Sequence, residues 1–117
     1  MNSTTVFPTI SFDKEKGTLS ISGVSIPENP PAIFEPLIQE VIEYCKNPAP
    51  KTNIIIDLDY ANTASTKWIF HILERFERIY IDKHVVVVNF FYADNSIFNT
   101  GRYYADNLAL PLDFIKK

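Results

Sequence analysis

The sequence predicts an α/β fold in which about three helices pack on one open, mixed β-sheet of four to five strands. Segments whose apolar residues alternate with period two are followed by segments whose apolar residues recur at helical spacing, and the two kinds alternate along the chain. A chain of 117 residues is long enough for one hydrophobic core and too short for two. We therefore expect a single domain over residues 1–117, with residues 1–5 flexible.

The first predicted element is a β-hairpin over residues 8–23. Leu19 and Ile21 alternate with serines in its second strand. The polar segment 13–17 between the two strands ends in glycine, which is a typical turn composition.

The first helix is predicted after a loop that contains several prolines. Asn29 followed by Pro30 and Pro31 has the pattern of a helix N-cap with proline in the first turn. Pro36 either belongs to the first turn or kinks the helix. The apolar stripe of this helix consists of Phe34, Leu37, Ile38, Val41, Ile42 and Cys45.

The centre of the chain is a strand over residues 53–60 that runs through a short polar turn into a helix over about residues 64–80. One face of the strand carries Ile54, Ile56, Leu58 and Tyr60. The helix carries an apolar stripe of Trp68, Ile69, Ile72, Leu73, Phe76, Ile79 and Tyr80. Where the strand gives way to the helix, the sequence has four hydroxyl or amide side chains, Asn62, Thr63, Ser65 and Thr66. Such side chains cap helices, and a helix N-terminus also favours a phosphate because its N–H groups are free.

The last third of the chain predicts a strand, a helix and a final short strand. Residues 84–92 contain four consecutive valines, which is typical of a strand in the interior of a sheet. Residues 93–96 form a predicted turn, and the helix that follows is expected to be short and interrupted by Gly101. A strand near residues 112–115 completes the predicted order β-β-α-β-α-β-α-β.

The composition argues against several classes of protein. A net charge of −3 does not favour nucleic acid as a partner, since phosphate backbones are bound by concentrated basic surfaces. The sequence has no apolar run long enough to span a membrane, and its first residues do not form a signal peptide. The single cysteine, Cys45, cannot form an intramolecular disulfide. We expect a cytoplasmic protein that does not bind membranes.

No arrangement in the sequence predicts a catalytic centre. His71 and His84 have neither a recognisable nucleophile nor a metal-ligand partner at useful spacing, and the chain has no glycine-rich phosphate loop. Asp57 and Asp59 share one strand face and could hold Mg²⁺, as in a small metal-dependent hydrolase. We favour the alternative, which is either a solvated strand face or a role for Asp59 in fixing the turn. We therefore expect no catalytic residue, no metal and no cofactor.

Thr63 has two interpretations. It can be an N-cap, or it can be a phosphoacceptor. A phosphate there adds nearly two negative charges at a helix start, where the helix dipole tolerates them, with Lys67 one turn further on. Physical chemistry alone does not choose, because Ser65 and Thr66 have similar chemistry.

Several motifs spread over nearly the whole chain are similar to the SiaC family of small bacterial regulators, whose fold is like that of STAS domains and anti-anti-sigma factors. The most specific motif is the Asn-Thr-x-Ser-x-Lys core at residues 62–67. The other landmarks are Ser11–Asp13, Gly17–Gly23, Ser25 with Pro27–Asn29, Phe34–Leu37, Leu58–Ala61, Val88–Tyr92, Tyr104–Asp106 and Leu110–Ile115. The sequence departs from the family pattern at Ala64, where we expect a second serine, and at Phe90, where we expect tryptophan.

The resemblance implies a phosphorylation switch and not an enzyme. Carried over by position, the phosphoacceptor is Thr63, and Asn62, Ser65 and Lys67 belong to the partner-binding surface around it. The implied partners are a protein kinase, a PP2C-type phosphatase and a diguanylate cyclase, which the unphosphorylated form binds and activates in cyclic di-GMP and biofilm control. The alternative is an anti-anti-sigma-like partner-switching protein that acts on a different effector.

Overall fold

The structure, a computed structural model, describes residues 6–117. The prediction that residues 1–5 are flexible lies outside the described residues. The elements follow the predicted order, and their bounds are β1 (Thr9–Asp13), β2 (Thr18–Ser25), α1 (Pro30–Lys46), β3 (Lys51–Ala61), α2 (Thr63–Ile81), β4 (Val85–Tyr92), α3 (Asn95–Asn107) and β5 (Leu112–Lys116).

The five strands form one sheet in the order β1-β2-β3-β4-β5. β1 and β2 form the predicted antiparallel hairpin, and each later strand pairs in parallel with the strand before it. Connections between adjacent parallel strands are right-handed, so all three helices lie on the same face of the sheet. Because β2 to β5 are parallel, their carboxyl ends lie at the same end of the sheet, and the N-termini of all three helices lie there too. The predicted α/β fold with an open mixed sheet is confirmed.

The core lies between that face of the sheet and the helices. The strands contribute fully buried side chains at alternate positions: Leu19, Ile21, Ile54, Ile56, Leu58 and Phe90. The helices contribute Phe34, Val41, Ile69, Ile72, Leu73 and Phe76, which are also fully buried. The other face of the sheet, which carries Ile55, Val87 and Phe91 between polar residues, is half-buried. β4 lies between β3 and β5, which confirms the interior position that its valines predict.

Gly101 does not interrupt the last helix, contrary to the sequence prediction. A Cβ atom at this position would lie 2.6 Å and 2.7 Å from ring carbons of Phe90 and Phe114. The glycine therefore lets α3 approach β4 and β5 closely, and it serves packing rather than a break in the helix.

The start of α1 is confirmed, and one position of β3 requires correction. Asn29 occupies the N-cap position with prolines directly after it, although its side chain forms no capping hydrogen bond, and α1 continues through Pro36. Tyr60 is 51% exposed, although its position in β3 suggested that it shares the buried face. The register of β2 and β3 shifts between the pairs Gly23–Leu58 and Val24–Tyr60, and such a bulge breaks the alternation of side chains.

Candidate functional site at the start of helix α2

Asn62 connects the end of β3 to the start of α2. Its backbone N–H donates to the carbonyl of Ser25, with an N–O distance of 3.0 Å. Its side-chain oxygen accepts a hydrogen bond from the Ser65 N–H at 2.9 Å, so Asn62 is the N-cap of α2. One residue thus fixes both the direction of the chain at the edge of the sheet and the first turn of the helix.

Ser65 faces inward and holds α2 against β2. Its side chain is fully buried, and its hydroxyl donates to the Ser25 carbonyl at 3.2 Å and lies 2.7 Å from the Ser25 hydroxyl. The predicted role of Ser65 in a partner-binding surface requires correction, because a sealed side chain cannot touch another protein. Ser65 is a positioning residue, and its phase in the helix shows why. It lies four, seven and eleven residues before Ile69, Ile72 and Phe76 on the buried stripe.

Thr63 is the first residue of α2 and is exposed. The interpretation of Thr63 as the N-cap is wrong, because Asn62 occupies that position. Within residues 6–117 the Thr63 hydroxyl forms no hydrogen bond, whereas the neighbouring Thr66 hydroxyl donates to the Thr63 carbonyl at 2.8 Å. Among the hydroxyl and amide groups of this segment, the Thr63 side chain has no structural role and faces solvent.

The electrostatics around Thr63 suit a negative group. The first turn of α2 contains no acidic residue, so the partial positive charge of its free N–H groups is not neutralised locally. Lys67 lies one turn further along the helix and is exposed. A phosphate on Thr63 would therefore meet both the helix N-terminus and an ammonium group at favourable spacing.

Asp57 and Asp59 are paired with a lysine. Lys117 Nζ lies 2.7 Å from Asp57 Oδ1 and 3.0 Å from Asp59 Oδ1. The carboxylate of Asp57, followed by that of Asp59, raises the pKa of the Lys117 ammonium. In residues 6–117, no cluster of three or more His, Cys, Asp or Glu side chains could hold a metal ion.

The remaining candidates for chemistry are engaged elsewhere. His71 Nδ1 lies 2.8 Å from Glu74 Oε1 on the exposed side of α2. Cys45 lies between α1 and α2, where its thiol donates to the Arg75 carbonyl at 3.9 Å. Burial raises the pKa of Cys45 to about 11, against a smaller lowering effect of the Arg75 charge. The thiol is therefore protonated at neutral pH and is a poor nucleophile.

Two residues that support the site appear in the sequence analysis only as landmarks of the family, with no role assigned to them. The hydroxyl and the carbonyl of Ser25 are both hydrogen-bond partners of the Ser65 hydroxyl. The Tyr104 hydroxyl donates to the Thr66 carbonyl at 2.6 Å. No sequence spacing connects residue 25 with 65 or 104 with 66, because these contacts join different elements across the fold.

None of the helices within residues 6–117 has the length and apolarity needed to cross a bilayer.

The whole chain, residues 1–117, matches the model of the SiaC family regulatory phosphoproteins. The chain belongs to the SiaC family. Its members are regulatory phosphoproteins. No curated protein sequence gives a significant match to this SiaC family chain.

Solved structures of SiaC from Pseudomonas aeruginosa share the fold. One is the diguanylate cyclase SiaD in complex with its activator SiaC; the matched chain is 22% identical, with a TM-score of 0.87 over 99% of this chain and 96% of that chain. A second structure of SiaC is 24% identical, with a TM-score of 0.86 over 100% of this chain and 96% of that chain. A third, apo-SiaC, is 24% identical with a TM-score of 0.85 over 97% of this chain and 94% of that chain.

Proposed function

We propose that this protein is a non-enzymatic cytoplasmic switch whose phosphoacceptor is Thr63. The proposal rests on the different contacts made by four neighbouring side chains at the start of α2. Asn62 caps the helix, Ser65 is buried against Ser25, and Thr66 bonds to the backbone, while the Thr63 hydroxyl is exposed and unbonded within residues 6–117. A kinase can reach this hydroxyl without opening the fold.

The proposed effector is a diguanylate cyclase, which the unphosphorylated protein binds and activates in cyclic di-GMP and biofilm control. The support is family membership together with the complex of P. aeruginosa SiaC and the cyclase SiaD. A protein kinase adds the phosphate and a PP2C-type phosphatase removes it. Asn62, Thr63 and Lys67 contribute side chains to the binding surface, and Ser65 holds the helix start in place.

The physical basis of the switch is the cost of burying a doubly charged group. With a bare hydroxyl, the surface around Thr63 can pack closely against another protein. A phosphate adds nearly two negative charges, which must be stripped of water or placed against the partner's own acids. An unpaired charge at an interface typically weakens binding by about 2–5 kcal/mol.

The first experiment maps the phosphate. The purified protein is incubated with the kinase from the same organism, and intact mass and phosphopeptides are measured. We expect one phosphate, on Thr63, and none on a Thr63→Ala variant. Phosphate on Ser65 or Thr66 instead would overturn the assignment.

The second experiment measures binding to the cyclase from the same organism. Thr63→Glu should weaken binding strongly, and Thr63→Ala should bind like the unmodified protein. Thr9→Glu places the same charge on another exposed threonine, in β1, and serves as the matched control. Unchanged binding of Thr63→Glu would contradict the charge mechanism. Binding to a different effector, identified by pull-down, would instead indicate anti-anti-sigma-like partner switching.

A further inference from the structure

An open groove of about 460 Å³ lies between α2 and α3, beginning one turn after Thr63. Phe70 and Tyr104 are lining residues, and the Phe70 ring centroid lies 5.7 Å from those of both Tyr103 and Tyr104. Tyr103 also lines the groove and is 58% exposed. The groove thus offers aromatic surface that the fold itself does not cover.

The charge of the groove differs from that of the whole molecule. Its lining includes Lys67 and His71 and contains no acidic residue, although the chain carries a net charge of −3. His71 is already paired with Glu74, whereas Lys67 forms no ion pair within residues 6–117. An apolar groove with an unpaired ammonium group on its wall is complementary to an apolar surface flanked by carboxylates.

The shape of the groove favours a helix as its occupant. α2 and α3 run in the same direction, since both return from parallel strands to the same edge of the sheet. Side chains of two neighbouring helices form a furrow into which the ridge of a third helix packs. A peptide that binds by adding a strand would need an unpaired strand edge, which this furrow between two helices does not provide.

We propose that this groove binds an amphipathic helix of the cyclase, with an apolar face on Phe70 and Tyr103 and an acidic side chain beside Lys67. The proposal rests on the proposed function, because it names where the effector binds and how a phosphate on Thr63 reaches that site. Lys67 lies four residues after Thr63, the spacing at which opposite charges pair on a helix. A phosphate on Thr63 engages the Lys67 ammonium and changes the charge at this end of the groove from positive to negative.

The test measures the dissociation constant for the cyclase with two groove variants. Tyr103→Ala removes exposed aromatic area, and Lys67→Glu reverses the charge that the partner's carboxylate meets. Each should weaken binding at least about tenfold, as for a central interface residue. Ile81→Ala and Lys16→Glu change an exposed apolar and an exposed basic residue outside the groove, and both should bind within about twofold of the unmodified protein. Circular dichroism confirms that every variant is folded.

The outcomes separate this proposal from the proposed function. If Thr63→Glu abolishes binding while both groove variants bind normally, the groove is not the docking site and the switch still holds. If Thr63→Glu binds normally while Tyr103→Ala does not, the groove is supported and the phosphate switch is wrong. If the groove variants alter only self-association in sedimentation experiments, the occupant is a second copy of this chain and the proposal is overturned.

The link through Lys67 has its own readout. In a Lys67→Ala background, Thr63→Glu should weaken binding less than it does in the unmodified protein, since the cation that it neutralises is gone. Strictly additive effects of the two substitutions would show that the phosphate acts on the partner directly and not through Lys67.

Discussion

The two flanks of α2 differ in what covers them. On the flank toward α1, the Trp68 indole stacks on Phe34 with ring centroids 6.2 Å apart. A cleft next to Trp68 on this flank is lined by charged residues of both signs. On the flank toward α3, Phe70 and Tyr103 line an open aromatic groove. One helix therefore contributes stability on one side and leaves apolar surface free on the other. The difference teaches that an aromatic residue on a helix need not belong to the core.

The largest expected effect compares one aromatic residue on each flank. Phe34→Ala removes a fully buried ring and should lower the free energy of unfolding by about 3–5 kcal/mol. Phe70→Ala removes a half-buried ring at the open groove and should cost about half as much. Urea denaturation of both variants measures the difference. Equal losses would show that the α3 flank is as closely packed as the α1 flank.

A smaller effect is expected where α3 meets the sheet. Gly101→Ala forces a Cβ against Phe90 and Phe114 and should cost about 1–3 kcal/mol through overpacking. Arg102→Ala changes the next, exposed residue of α3 and is expected to shift stability by no more than about 0.5 kcal/mol. Thermal unfolding of the two variants distinguishes them, and a Gly101→Ala protein as stable as the Arg102→Ala protein would show that α3 can move outward freely.

The hydrogen bond that joins the two sides of the groove should contribute less. Tyr104→Phe deletes the hydroxyl that donates to the Thr66 carbonyl and should lower stability by about 1 kcal/mol. Tyr103→Phe makes the same chemical change on the exposed neighbour and should have no effect. Hydrogen exchange in the first turns of α2 should accelerate only in Tyr104→Phe. Equal exchange in both variants would argue that this bond does not hold α2 and α3 together.

The last prediction concerns the reactivity of the Cys45 thiol and not the stability of the protein. Burial raises the pKa of Cys45 to about 11, so the thiolate fraction is small at pH 8 and rises as the pH approaches that value. Alkylation of Cys45 by iodoacetamide at pH 8 should be at least about tenfold slower than that of a cysteine at position 103, placed by Tyr103→Cys in a Cys45→Ala background. Comparable rates would mean that the α1 flank opens readily.

The sequence predicts the order and type of every element, because period-two and helical patterns report which side chains face the core. The helical spacing of α2 also predicts that Ser65 is buried and Thr63 is exposed, since Ser65 continues the buried stripe of the helix and Thr63 does not. Other features depend on contacts between distant elements. The Ser25–Ser65 hydroxyl pair, the close approach at Gly101 and the groove beside Phe70 each join residues that no spacing relates.

The common direction of the three helices gives the molecule an electrical polarity that its net charge conceals. Each helix carries about half a positive elementary charge at its N-terminus and half a negative one at its C-terminus, and these partial charges add when helices lie side by side. Thr63 lies at the positive pole of this array. An anionic group that comes to lie within a turn of that pole is therefore stabilised, and the stabilisation weakens as salt is added.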